Sequence, residues 1–503
     1  MSESTGGAGL RNTSPARQPG SRPLALILLA SFLLSIFIAY ELPLLAPDEG
    51  RNAEVAREMA AGGDLVVPHL AGMPYLDKPP AFFWITALSV RALGNSPQAA
   101  RLPSMIASLL VLALIGRAAR RAGGMRFALL APVLLAAAPL YAGLSAYVIF
   151  DMLLTLCVTL VWLGVAREVE QGASARTRLA MFAAIALGIL TKGPVMLAWA
   201  IGGSLGAALL LRSRAPLRWL AWVPGWLVAL VPPAIWFAMV THRFPEFPHY
   251  ALIEETFERV STGSFHRDQP WWFVPAVLIG GALPWSLATP WSPARLHRAP
   301  PAVVITAAIG LGFALFAVVF FTFSRSKLVT YLLPAFPPLA WSAAAMWSDL
   351  ASDRIRRFAL AGCAGFTLLL VLLGAVIFVD PLVSPSGARL AGAIAARGPA
   401  AVYYQGCYSP GADFLLGRTS TLISTDGRET TSNYLIRYRA SLEARGLWKG
   451  LDRIPAPDST DVLVRFEDSK LAPPAGATLL HRDRVFVAYR FDSTARGTAI
   501  PTR

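Results

Sequence analysis

The sequence predicts a polytopic α-helical membrane protein that ends in a small α/β domain. Three observations carry this. Hydrophobic residues make up 55% of the 503-residue chain and charged residues only 15%, against about a quarter in a soluble domain. Apolar runs of roughly 16–24 residues recur along it, long enough to cross a bilayer as helices. The arginines fall in short clusters between those runs, the pattern of cytoplasmic loops. The mean hydropathy of +0.52 agrees.

The elements follow in order. Residues 1–22, rich in Gly, Ser, Pro and Arg, read as a disordered cytoplasmic tail. The run from Pro23 to Tyr40 lacks a small-x-small cleavage site and reads as an uncleaved first helix. Spans are expected near 23–41, 101–117, 127–143, 151–167, 178–191, 195–212, 217–240, 271–291, 301–323, 328–347 and 356–379, within about 11 to 13 in total. With the N-terminus inside, the clusters Arg117/Arg120/Arg121/Arg126, Arg167/Arg176/Arg178, Arg212/Arg214/Arg218, Arg295/Arg298 and Arg354/Arg356/Arg357 all fall on the inner side. The short apolar segment AFFWITALSVRALG, 81–94, would flip this parity if it spanned, so it reads as an interfacial helix. The domain organisation is then a tail (1–22), a transmembrane domain (23–380) with an outer loop (42–100), and an outer C-terminal domain (381–503). In that last part DVLVRFEDSKL and RVFVAYRF alternate as strands do, and SLEARGLWKGL has helical spacing.

Several function classes are excluded at this stage. The net charge of +15 is spread over inter-span clusters, which argues against nucleic acid as the partner. Cys157, Cys363 and Cys407 form no CxxC, so neither a disulfide framework nor a thiolate metal site is indicated. No phosphate-binding glycine loop follows a strand, and GGAGL lies in the tail, so no nucleotide cofactor is expected.

The polar residues that look out of place collect on one side of this topology: Asp48, Glu49, Arg51, Asp77, Lys78, Asp151, Lys192, His266, Arg325 and Lys327. Ionisable groups at membrane depth are costly and mark functional cavities. Carboxylates can hold a divalent cation or take a proton from a hydroxyl. Lysines and arginines beside them can stabilise a phosphate leaving group. Together they suit a substrate with a phosphate head and a lipid tail. Tyr75, Trp84, Trp271 and Trp272 are placed to stack on sugars or to serve as interfacial aromatics. Blander readings stand beside these. Asp48 is a good N-cap for a helix starting near Gly50, Asp77–Lys78 reads as a surface turn, and Glu54 and Glu58 read as a solvated face with Arg57.

LAPDEGRNAEVAREM (45–59) and GGDLVVPHLAGMPYLDKPPAFFW resemble the first outer loop of the bacterial lipid A aminoarabinose transferase family. These are polytopic glycosyltransferases related to protein O-mannosyltransferases. AYVIFDMLLT, LTKGPV, FHRDQPWWFV, LPWS and SRSKLVTYLLPAFPPLA follow in the family's order, over about residues 25–345. The resemblance implies a GT-C type fold with outer interfacial helices. It also implies a polyprenyl-phosphate-linked sugar donor, and lipid A or another envelope acceptor at the periplasmic face of the inner membrane. Asp48 and Asp151 match the family's outer-loop acids and, with Glu49, are the catalytic candidates. Lys78 matches the lysine of the E/D-K-P-P motif that contacts lipid phosphate. Arg51, Tyr75, Lys192, Lys327 and Tyr331 are the other substrate-binding candidates. Asp77 and His266 match positions implicated in holding a divalent metal, with Asp at 77 where a longer Glu is common.

The competing readings keep the fold and change the acceptor, or change the class to a secondary transporter. The charges lie at the outer ends of the spans and a soluble outer domain follows them. A transporter would instead be expected to carry midplane charges in broken helices.

Overall fold

The computed structural model describes residues 22–262, 267–348, 353–378, 387–398, 401–452 and 460–491. Most of the chain is helical, and the fold is a polytopic bundle capped by a small α/β domain. Six helices among the described residues are long and apolar enough to cross a membrane. They are α1 (Arg22–Glu41), the first part of α4 (Pro97–Ala136), α6 (Phe150–Gln171), Val223–Arg243, Pro301–Phe323 and Asp353–Phe378.

The remaining expected spans are shorter or interrupted, each for a local reason. The runs at 101–117 and 127–143 belong largely to one kinked element. Gly124, at φ +76°, breaks the α4 ladder there, a conformation that side chains other than glycine rarely adopt. Prolines divide others. The span expected at 271–291 is split into Phe273–Gly280 and Trp285–Ala288, with Pro284 between them. The prolines of AFPPLA open the helix Phe336–Trp347 after a 3₁₀ segment, Val329–Ala335, rather than kinking its middle. The segment at 81–94 forms a helix, α3 (Ala81–Leu93), which buries Phe82 and Phe83 and leaves Ile85, Leu88 and Leu93 exposed.

Burial separates an inner and an outer ring. α6 is the central helix, with 78% of its apolar window buried, whereas α1 has 17% and Asp353–Phe378 has 11%. These two present apolar side chains such as Leu26, Leu369 and Val376 outward, as lipid-facing helices do. Inside, Trp162 Nε1 donates to the Thr306 carbonyl at 3.0 Å and stacks edge-on against Trp341. A buried indole requires such a partner.

The outer loop is well packed. α2 (Asp48–Gly62) lies against α3, and the short antiparallel pair β1 (His69–Leu70) and β2 (Met73–Pro74) follows it. The C-terminal domain holds a five-stranded sheet of β3 (Val402–Gln405), β4 (Thr421–Ile423), β5 (Val462–Phe466), β6 (Ala477–Arg482) and β7 (Phe486–Phe491), in the order β4-β3-β5-β7-β6. β3 runs parallel to β4 and β5, and β7 pairs antiparallel with β5 and β6. Both strands read from the sequence are present, as β5 and β7.

The domain docks directly on α2. A Cβ on Gly50 would lie 2.9 Å from the Gly411 amide nitrogen, so the two backbones meet with no room for a side chain. Glu54, Arg57 and Glu58 face this contact. They are buried, not solvated as the sequence suggested. Arg57 forks onto Glu54 at 2.7 and 2.6 Å and also donates to Thr419 Oγ1 at 2.8 Å, across the interface.

Candidate active site

Helix ends build the site. Asp48, Glu49 and Arg51 occupy the first turn of α2, where acids meet the positive end of the helix dipole. Pro47, not Asp48, is the N-cap residue. Asp48 instead accepts from Arg51 Nη2 at 2.5 Å, and Arg51 Nη1 donates to Thr431 Oγ1 of the C-terminal domain at 2.7 Å. Burial works against the Arg51 charge, but Tyr75, Asp48 and Asp77 hold its pKa above the ordinary value. Tyr75 is itself buried, edge-on to Phe83.

A short connection, 172–174, joins α6 to α7 (Ala175–Lys192), and the two helices pack closely. An antiparallel pair brings the start of the first helix to the level of the end of the second. Asp151 opens α6 and Lys192 closes α7, so the two meet as a buried ion pair. Lys192 Nζ also lies 4.3 Å from the centre of the Tyr331 ring, a cation–π distance.

The hydroxyl of Tyr331 is approached by Arg259 and Arg267, each with Nη1 at 3.4 Å. Lys78 donates to the Asp77 carbonyl at 2.7 Å and lies 3.6 Å from Glu255, which also pairs with Arg259. Burial pushes the Lys78 ammonium pKa down despite Glu255. Burial disfavours the Glu255 charge too, but Lys78 and Arg259 pull its pKa below the ordinary carboxylate range. Lys78, Arg259, Arg267 and Lys192 thus surround Tyr331. Lys327 is farther round, with Nζ on the Gln269 carbonyl at 2.9 Å.

Asp48 opens onto a cavity of about 470 Å³. Its walls are Ile38, Leu42, Leu140, Leu144, Leu370 and Val371, and Val329 and Thr330 bring it beside Tyr331. A chamber of this lining suits hydrocarbon, and Asp48, Glu49 and Arg101 form its polar end.

Two expected roles are corrected. Asp77, expected as a metal ligand, has both carboxylate oxygens in use. Oδ1 accepts from Tyr250 Oη (2.6 Å), Ser432 Oγ (3.1 Å) and the Tyr434 amide (2.9 Å), and Oδ2 from the Asn433 amide (3.0 Å). It caps the helix Asn433–Arg437 and anchors the C-terminal domain, so this arrangement does not fit metal ligation. It is also buried, not a surface turn. His266 lies outside the described residues. Among the described residues no group of three His, Cys, Asp or Glu side chains is arranged to hold a metal. Glu49, expected as catalytic, is fully buried, and Arg101 and two backbone amides occupy its oxygens.

Glu255, Arg259, Arg267 and Thr431 escaped the sequence reading. EETFER carries an ordinary i,i+4 acid–arginine pair, and nothing local marks it as facing Tyr331.

This is the GT-C fold, in which the polar ends of a helical bundle meet an outer loop and a soluble cap. Residues 77–236 match the family described as dolichyl-phosphate-mannose-protein mannosyltransferase. The chain is 31% identical over 377 residues to the undecaprenyl phosphate-alpha-4-amino-4-deoxy-L-arabinose arabinosyl transferase of Aeromonas salmonicida, and 30% identical to that of Aeromonas hydrophila. In each case the match covers 70% of this chain and 65% of the relative's own length. The crystal structure of ArnT from Cupriavidus metallidurans bound to undecaprenyl phosphate superposes with a TM-score of 0.75 at 24% identity, covering 95% of this chain and 100% of that one. The resemblance read from the outer-loop motifs therefore holds as a similarity: over 70% of its length the chain is similar to the aminoarabinose transferases, and it spans just under two thirds of their length.

Proposed function

We propose that this protein is a membrane glycosyltransferase of the inner membrane. It moves a sugar from a polyprenyl-phosphate donor to an envelope acceptor at the periplasmic face, and the sugar and acceptor are 4-amino-4-deoxy-L-arabinose and lipid A. The convergence of Lys78, Arg259 and Lys192 on Tyr331, beside the apolar chamber that ends at Asp48, carries this reading. The names of its relatives support the sugar and the undecaprenyl phosphate carrier, and the outer-loop resemblance is what suggests lipid A as acceptor.

In the reaction an acceptor oxygen attacks the anomeric carbon as the carbon–oxygen bond to the phosphate breaks. Polyprenyl phosphate leaves with the electron pair. Lys78 and Arg259 offset the negative charge that develops on it, in a site shielded from water, where such stabilisation is strongest. Asp48 and Asp151 face the sugar from the other side. A hydroxyl acceptor needs one of them as base. A phosphate acceptor is already anionic, and the acids then orient the sugar and its amine. One displacement inverts the anomeric centre. No step requires a nucleotide, and none is assigned to a metal.

The test is mass spectrometry of lipid A from cells expressing the wild type or Asp48→Ala at matched protein levels. A pentosamine-sized increment with the wild type alone is the expected result. Unchanged lipid A alongside glycosylated envelope protein would favour the protein O-mannosyltransferase-like reading that the match at 77–236 also supports.

A further inference from the structure

One buried carboxylate ties the first outer loop to the second. Glu49 Oε1 accepts from Arg101 Nε at 2.8 Å and from the Val148 amide at 2.9 Å. Its Oε2 accepts from Arg101 Nη2 at 2.5 Å and from the Leu45 amide at 2.9 Å. Arg101 spends its other donors on the last turn of α1 and the segment after it: Nη1 on the carbonyls of Ala39 (3.2 Å) and Leu42 (2.7 Å), and Nη2 on that of Pro43 (2.7 Å). One turn along α2, Asn52 Nδ2 donates to the Val148 carbonyl at 2.8 Å. Both backbone groups of Val148 are therefore held by α2.

These contacts sit beside the two acids of the site. Glu49 follows Asp48 directly, and Val148 lies three residues before Asp151. We infer that Arg101, with Glu49 and Asn52, is a positioning clamp that sets where Asp48 and Asp151 stand relative to one another. The inference rests on the transferase reading above. Every N–H of Arg101 is engaged and both Glu49 oxygens are filled, so neither is available to a substrate. An apolar pair would pack the same volume without the cost of burying two charges. A fork and a carboxylate together satisfy three carbonyls and two amides at a helix end and in irregular backbone, and buried backbone groups need such partners.

The test uses the full chain in lipid nanodiscs, with Arg101→Lys and Asn52→Ala. Arg101→Lys keeps the charge and loses the fork. Asn52→Ala cuts one tie to Val148 and leaves the ion pair, so it folds even where the lysine variant does not. Three quantities are read: affinity for undecaprenyl phosphate, kcat for sugar transfer, and hydrogen exchange at residues 45–49 and 145–149. The expected result is unchanged affinity and KM for the donor, faster exchange in both segments, and kcat lower by roughly 10-fold for Asn52→Ala and 100-fold for Arg101→Lys. The larger loss is that of a reacting group displaced by about 1 Å. Faster exchange with kcat within about twofold of wild type would make the network a stabilising one only, overturning the clamp. So would a fall in donor affinity that matched the fall in kcat. A wild type that binds the lipid phosphate and moves no sugar overturns the transferase reading and the clamp with it, a result distinct from active variants of an active enzyme.

Discussion

Asp77 and Lys78 are neighbours in sequence with separate tasks. The Lys78 ammonium faces Glu255 and the cationic group around Tyr331, while the Asp77 carboxylate turns away to cap the helix Asn433–Arg437. An anchor and a metal ligand predict different consequences for Asp77→Asn. The amide keeps one acceptor oxygen for Tyr250, Ser432 and the Tyr434 amide and places an NH₂ against the Asn433 amide. Leaving buried donors unmatched costs about 1–3 kcal/mol. The variant should therefore be less stable by that amount and show faster amide exchange across 432–437, and divalent cations should restore neither. Recovery of stability on adding a divalent cation would return Asp77 to the metal site. For Lys78→Met the expectation is a kcat/KM fall of about 100-fold, the scale of one lost charge-stabilising donor, with an unchanged melting temperature.

At the scale of elements, α2 does most to organise the site. Its first turn carries Asp48 and Arg51 toward the site and Glu49 toward Arg101, and the face formed by Gly50, Glu54 and Arg57 meets the C-terminal domain. Gly50→Ala tests how closely the cap must sit. The added methyl would meet the Gly411 backbone at 2.9 Å, where no side chain can swing aside, and overpacking of this kind costs about 1–3 kcal/mol. Thr431, at φ +56°, would be drawn back with the cap, and Arg51 would lose its bond to the Thr431 hydroxyl while keeping Asp48. Limited proteolysis between the last long helix and β3 should then be faster, and kcat lower, than in wild type; an equally resistant and active variant would refute the tight docking. This element also shows what the sequence made legible. The run of acids and arginines after the first span marked α2 as functional, because charge beside lipid demands a reason. Which acid does what was not legible, since Glu49 finds its arginine 52 residues away. Arg101 itself, at the head of an apolar run, was read as the edge of a helix; its demand for a buried partner was the signal. Asp151 and Lys192 were each visible as charges at span ends. Their pairing depends on α6 and α7 running antiparallel with a short turn, a tertiary fact. Glu255 and Arg259 left no local trace.

Across the whole molecule, the junction between outer loop and cap is a store of buried carboxyl groups. Asp413 is fully buried, and burial pushes its pKa up to about 7, against the pull of Ser420, whose hydroxyl and amide donate to it at 2.6 and 3.1 Å. Glu54 and Glu58 are shifted upward in the same way by burial, with Arg57 paired to Glu54 among them. Tyr404 and Tyr408 close the other side. A carboxyl that holds its proton more tightly folded than unfolded stabilises the fold fully below its unfolded pKa of about 4. That contribution fades as pH rises through about 7, where the folded group ionises. Cap docking should therefore weaken between about pH 4 and 7, by a few kcal/mol at most for Asp413 at about 1.4 kcal/mol per pKa unit. Asp413→Asn, neutral at every pH and nearly the same shape, separates this from other titrations. Its melting temperature should fall less than that of wild type between pH 5 and 8. A wild type and variant with the same slope would show that Asp413 is ionised throughout and that Arg57 and Ser420 hold it charged.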